Sequence, residues 1–221
     1  MKVIDIEVGQ CQVLGQGGFS HLRRCQVRNL RQDGSCSDWY TLDLVERPGR
    51  ADAVAVVAYD AGPPVRVLLR RGLRPALRLA RAGQPTREGC VAAIHHLELV
   101  AGILERDDIG QQGLHRRAEL ELWEEAGLRV DRGQIRPLGP SVCLSPGLMS
   151  ERIYFCAVPA RLDLQRAPPV GDGSQLEAGS EAVVLQLEHA LDQCSRGEIQ
   201  DAKTELALRR LEQALGGGNG V

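Results

Sequence analysis

The stretch Ala118-Glu119-Leu120-Glu121-Leu122-Trp123-Glu124-Glu125-Ala126-Gly127-Leu128 governs how the rest of the chain is read. Wound as a helix, it places Glu121, Glu124 and Glu125 at i, i+3 and i+4, so three carboxylates crowd one face. Ala118, Leu122 and Ala126 form an apolar seam along the neighbouring stripe. Gly127 falls just past the last turn, where a left-handed residue costs least as glycine. Carboxylates at this spacing repel one another, and a solvated helix face is the ordinary fate of such residues. A hard divalent cation reverses the sign, because carboxylate oxygens are the ligands Mg²⁺ prefers. Which of the two applies depends on what flanks the helix.

Upstream, Asp52–Tyr59 is nearly all apolar and β-branched at alternate places, the pattern of a strand buried on both faces. Gly62-Pro63-Pro64 turns the chain into Val65–Leu69, its expected hairpin partner. Arg70-Arg71-Gly72-Leu73-Arg74-Pro75 then reads as a basic loop, a composition that usually means solvent, although this one abuts a central strand and could meet an anionic ligand. Residues 81–90 form a connection, and Val91–Val100 returns as a strand that Ala101-Gly102 closes. His95 and His96 are adjacent in that strand and so point to opposite faces. They cannot chelate one ion together and read as structural. Nearer the N-terminus, Val3, Ile4 and Ile6 open a β-rich run. Leu22–Leu30 and Trp39–Val45 flank the Asp33-Gly34-Ser35 turn as a hairpin.

Downstream, Leu138–Ser145 is strand then loop, Pro146-Gly147 a turn, and Glu151–Val158 a further strand. Residues 166–180, rich in Pro, Gly and Ser, read as a mobile loop. Ala182–Leu187 is a strand, and Glu188–Cys194 and Asp201–Leu215 are helical, with Asp201 an N-cap. Gly216–Gly220 should be disordered. There is no internal repeat, and the mixing of strands and helices suits an α/β sandwich.

The totals narrow the function classes. The 221 residues suit one large domain, with or without a small appendage. Hydrophobic residues reach 43% but aromatics only 3%, which makes the core aliphatic. A formal charge of −2 with dispersed arginines carries no polybasic signature, so no nucleic-acid polymer is expected as partner. No apolar run approaches the ~18 residues of a membrane span. Seven cysteines, an odd number without a C-x-x-C pair, argue against a disulfide framework or a thiolate zinc site and for a reducing compartment. The N-terminus alternates and carries acids, unlike a signal peptide. The expected location is cytoplasmic.

Read together, Glu98-Leu-Val-Ala101-Gly102-Ile-Leu-Glu105 and Glu121-Leu-Trp-Glu124-Glu125-Ala-Gly127-Leu128 resemble a Nudix box with its upstream strand. The surroundings resemble the branch that hydrolyses ADP-ribose and nucleoside diphosphate sugars. Arg71-Gly-Leu-Arg74-Pro75 is similar to its substrate-side arginine segment. Leu144-Ser145-Pro146-Gly147 through Ser150-Glu151-Arg152 is similar to its Ser-Pro-Gly loop, and Gly197–Thr204 to the start of its closing helix. The box half from Glu121 onward matches at every specified place. Before it the chain departs: Leu120 stands where the box has an arginine that orients the glutamates, Gln112 stands at the upstream glutamate, and the first glycine falls on Arg106. Arg116 or Arg117 is the candidate substitute cation.

The resemblance implies a Nudix α/β/α sandwich with a mixed sheet, preceded by a small N-terminal antiparallel β segment used in dimerisation. The corresponding division is residues 1–46, 47–215 and a tail at 216–221. It implies Mg²⁺ (or Mn²⁺) held by Glu121, Glu125 and the Ala101 carbonyl, with Glu124 beside them. The substrate would be a small nucleoside diphosphate derivative, met by Arg74 and Arg71. Glu177, Glu181 and Glu151 are the candidate general bases, with the choice left open. Cys143 and Cys156 read as buried fillers. A non-catalytic module binding a nucleotide or a protein is the competing expectation, motivated by Leu120 and Gln112.

Overall fold

The computed structural model describes residues 1–17, 19–47, 49, 52–80, 93–163, 167–169, 171, 173–175 and 179–217. The organising strand is β4 (Ala53–Asp60), the fourth after β1 (Val3–Gln16), β2 (His21–Arg31) and β3 (Tyr40–Glu46). Side chains alternate across a strand, and β4 uses both faces. Val54, Val56 and Ala58 enter one apolar cluster with Ala118, Leu122 and Ala126 of α2 (Gly110–Ala126). Ala53, Ala55, Val57 and Tyr59 enter a second. That one is closed by α3 (Leu187–Ser195) and α4 (Ala202–Gly216). One helix on one face and two on the other make the sheet the middle of a three-layer sandwich.

Among the described residues that sheet has eight strands, with β5 (Arg66–Leu73) and β4 at its centre. The others are β6 (His95–Glu98), β7 (Val100–Ile103), β8 (Arg136–Pro137), β9 (Val142–Cys143), β10 (Arg152–Pro159) and β11 (Glu181–Gln186). The main order is β11-β5-β4-β10-β8, with β6 on β5 and β7 on β4. β10 lies parallel to β4, whereas β5 and β7 are antiparallel to it, so the sheet is mixed. The short helix α1 (Pro75–Ala80) follows β5.

Several sequence expectations change. The basic run is not a loop at its start, since β5 continues through Leu73 and pairs with both β6 and β11. The strand expected at Val91–Val100 is two strands broken at Leu99. β6 pairs with β5 and β7 with β4, so the chain changes neighbours there, and β7 runs on to Ile103. Residues 81–92 lie outside the described residues. α4 continues through Gly216, and only residues 218–221 of the expected tail lie outside the described residues.

The chain divides into two compact units: Met1–Asp52 with Cys143–Arg152, and the remainder. In the first, β1, β2 and β3 form an antiparallel sheet in that order, with the β2–β3 hairpin where the turn signal placed it. Cys11 and Cys25 face each other across β1 and β2 and are joined as a disulfide. An odd cysteine count thus did not exclude a bridge, because strand register and not number brings the two together. No helix among the described residues is long and apolar enough to cross a membrane.

Candidate active site

α2 has the seam and the stop that its sequence requires. Ala118, Leu122 and Ala126 are fully buried. Gly127 closes the helix in the left-handed region at φ 61°, and the Leu128 N–H donates back to the Leu122 carbonyl at 3.0 Å. Fixing the seam against β4 turns the adjoining acidic stripe toward β7 and β5.

Glu125 is the most enclosed of the three acids, 5% exposed. Its Oε1 accepts from Arg70 Nη1 at 2.5 Å, and its Oε2 accepts from the Ala101 N–H at 3.2 Å. Arg70 is itself buried, and its Nε and Nη2 donate to Ser180 Oγ at 3.2 and 3.0 Å. Glu121 packs over Gly102: a Cβ there would overlap the Glu121 carboxylate. Arg117 Nη1 approaches Glu121 Oε1 at 3.8 Å, one helical turn away. Glu124 lines a cavity of about 350 Å³ with Arg70, Glu125, Gln175, Gly179 and Ser180. A larger cavity, about 740 Å³, lies past the helix end, where Arg129 stacks 3.8 Å over the Trp123 ring.

The cation expected to replace the missing arginine divides into two. Leu120 is 38% exposed. Arg116 and Arg117 both bind Asp108, whose side chain has no exposed surface. Burial pushes the Asp108 carboxyl up, but the Glu105 N–H and the two guanidinium groups outweigh it, leaving it below the ordinary carboxylate range. Arg117 also reaches Glu105 at 2.8 Å, so its contact with Glu121 is one of several. The close cation on Glu125 is Arg70, which sequence reasoning assigned to a loop. Strand alternation could have found it: Leu68 faces α2, so Arg70, two residues on, faces it too.

The remaining candidates occupy different places. Arg74 clasps the buried Glu98 through Nη2 at 2.6 Å, and Lys203 Nζ reaches the same carboxylate at 2.8 Å. Arg71 is exposed and stands 4.0 Å from Glu181, itself exposed at the start of β11. Glu151 belongs to the other compact unit and is ion-paired with Arg47. Glu177 lies outside the described residues. Cys156 is buried, and burial pushes its thiol up to about 12. Cys143 is only half-buried. Asp201 caps α4, accepting from the Thr204 N–H at 3.1 Å, and holds Lys203 at 2.8 Å.

The donor set of Glu121, Glu125 and the Ala101 carbonyl is all hard oxygen, which suits a Mg²⁺-class ion. The backbone at Gly102 leaves room that a side chain would fill. Among the described residues, however, no three His, Cys, Asp or Glu side chains converge as a ready-made metal cluster. Glu121 and Glu125 approach the same segment of β7, and Glu124 lines the adjoining cavity together with Glu125.

The fold is an α/β sandwich with a mixed sheet and a small antiparallel β segment, the architecture that the Nudix resemblance implies. A solved structure described as an ADP compounds hydrolase matches all of this chain over all of its own, at 16% identity and a TM-score of 0.68. A C. elegans Ap4A hydrolase binary complex matches 75% of this chain over 99% of its own, at 17% identity and a TM-score of 0.43, too loose to bear on the fold. No protein-family model matches the sequence, and no curated protein matches it.

Proposed function

We propose that this chain is a Nudix-type pyrophosphohydrolase that cleaves the diphosphate of ADP-ribose or a related nucleoside diphosphate sugar, giving a nucleoside monophosphate and a sugar phosphate. The observation that carries the reading is the approach of Glu121 and Glu125 to one backbone segment, Ala101-Gly102 of β7. The fold shared with an ADP compounds hydrolase supports the substrate class. Glu121, Glu125 and the Ala101 carbonyl would hold Mg²⁺ or Mn²⁺, with Glu124 beside them. When bound, the ion neutralises charge on the diphosphate and lowers the pKa of a water.

The chain's own groups do the rest. Arg74, held at its place by Glu98, offers a cation to the diphosphate or the terminal sugar, and Arg71 adds a solvent-facing one. A general base must come within hydrogen-bond reach of the attacking water. Glu181 and Glu177 are the candidates from the segment that also carries Ser180. Phosphate-coupled turnover of an ADP-ribose and sugar-nucleotide panel with Mg²⁺ or Mn²⁺ tests the reading. Glu125→Gln should lower kcat/KM at least about 100-fold, the scale on which lost charge stabilisation acts. Turnover of no substrate, or turnover indifferent to that substitution, defeats it.

The Arg70 pairing that already engages Glu125 favours a second reading, a module that binds the nucleotide without cleaving it. Calorimetry would then give ADP-ribose binding that is independent of metal and yields no product.

A further inference from the structure

We infer that Arg70 is a positioning residue: it fixes the Glu125 carboxylate for metal binding from the neighbouring strand and ties it to Ser180. The inference rests on the proposed metal site. Arg70 is 4% exposed and Glu125 5%. Removing either charge from water is costly, and the cost is recovered only where partner and hydrogen bonds are in place. Here they are. Arg70 Nη1 takes Glu125 Oε1 at 2.5 Å, and the Ala101 N–H takes Oε2 at 3.2 Å. These donors, which come from two different strands, set the plane of the carboxylate.

The guanidinium is fixed in turn. Its other two nitrogens meet Ser180 Oγ at 3.2 and 3.0 Å, one residue before β11. The β5–β11 register sets Arg70 opposite Ala182, so strand pairing keeps Ser180 within reach. Arg70 therefore links the acid on α2 to the segment that forms the wall of the Glu124 cavity. A lysine at 70 gives up the planar fork that serves Ser180 but keeps the cation on Glu125, which is the contact that orients the carboxylate.

Mn²⁺ binding followed by electron paramagnetic resonance tests this without relying on turnover. The comparison is wild type, Arg70→Gln, Arg70→Lys and Glu125→Gln, each with a thermal melt to establish folding. Arg70→Gln should bind Mn²⁺ about 10–100-fold more weakly, the usual cost of losing a partner behind a ligand. Arg70→Lys should stay within about 3-fold of wild type, since the charge on Glu125 is retained. Wild-type affinity or tighter binding in Arg70→Gln, or a tenfold loss in Arg70→Lys, overturns the inference while leaving the metal site standing. Should Arg70→Gln fail to fold, the lysine variant decides alone by the same limits. Absence of Mn²⁺ binding in the wild type, or binding unaffected by Glu125→Gln, overturns the inference and the proposed function together.

Discussion

At the level of single residues, the site depends on a missing side chain and a buried acid. Gly102 lies on the α2 side of β7, two residues from Val100, and its bare backbone is what lets Glu121 settle there. In Gly102→Ala the obstacle is the far end of a flexible glutamate and not backbone, so the glutamate swings away. Stability should change by less than about 1 kcal/mol. Mn²⁺ affinity should fall at least about tenfold, read by the same resonance titration. Equal affinity would show that Glu121 does not need that place. Asp108 works through stability. Its folded carboxyl titrates below the unfolded one, so its contribution is complete above the unfolded value, about 3.9, and is lost as pH falls through the folded value. Asp108→Asn should therefore destabilise by about 3 kcal/mol at pH 7, from two arginines losing a buried partner. In urea unfolding the gap to wild type should shrink below pH 4; a gap that widens there contradicts the assignment.

Secondary-structure elements were legible wherever local pattern and burial agree. The α2 seam, the Gly127 stop, the two-faced β4 and the Asp201 cap all follow from spacing and side-chain chemistry, and each is present. What stayed hidden depends on partners distant in sequence. The break at Leu99 exists because β6 and β7 pair with different strands, which no window around residue 99 contains. The Arg70–Glu125 pair spans 55 residues, and the composition of the basic run pointed to solvent instead. The Cys11–Cys25 bridge depends on the β1–β2 register. Gly127 shows how a local signal gains a tertiary reason: besides its positive φ, a Cβ there would overlap the Ala167 carbonyl. Gly127→Ala should therefore cost more than the ~1 kcal/mol of an ordinary left-handed glycine. Thermal unfolding should register roughly 2–3 kcal/mol, and a loss below 1 kcal/mol would mean the 167 segment yields freely.

On the scale of the whole molecule, the first compact unit has more apolar surface than it covers. Ile4, Ile6, Val8 and Val13 of β1, with Trp39 and Tyr40 near β3, are exposed on a three-stranded sheet. A small sheet of this kind gains stability only when a face is packed, and β1 stands at the edge of the sheet. Contiguous exposed apolar surface on a folded chain marks an association site, and twofold self-association is the commonest solution. Light scattering at micromolar concentration should give about twice the 24.0 kDa of one chain. Lysines at Ile4 and Val8 should return it to the monomer, because two like charges brought together across an isologous contact repel and lose their water. The Arg70, Glu121 and Glu125 arrangement belongs entirely to the second unit, so Mn²⁺ binding should survive that dissociation. A wild-type chain that is monomeric at those concentrations would leave the exposed sheet without this explanation. Loss of metal affinity along with the dimer would mean that the partner copy completes the site.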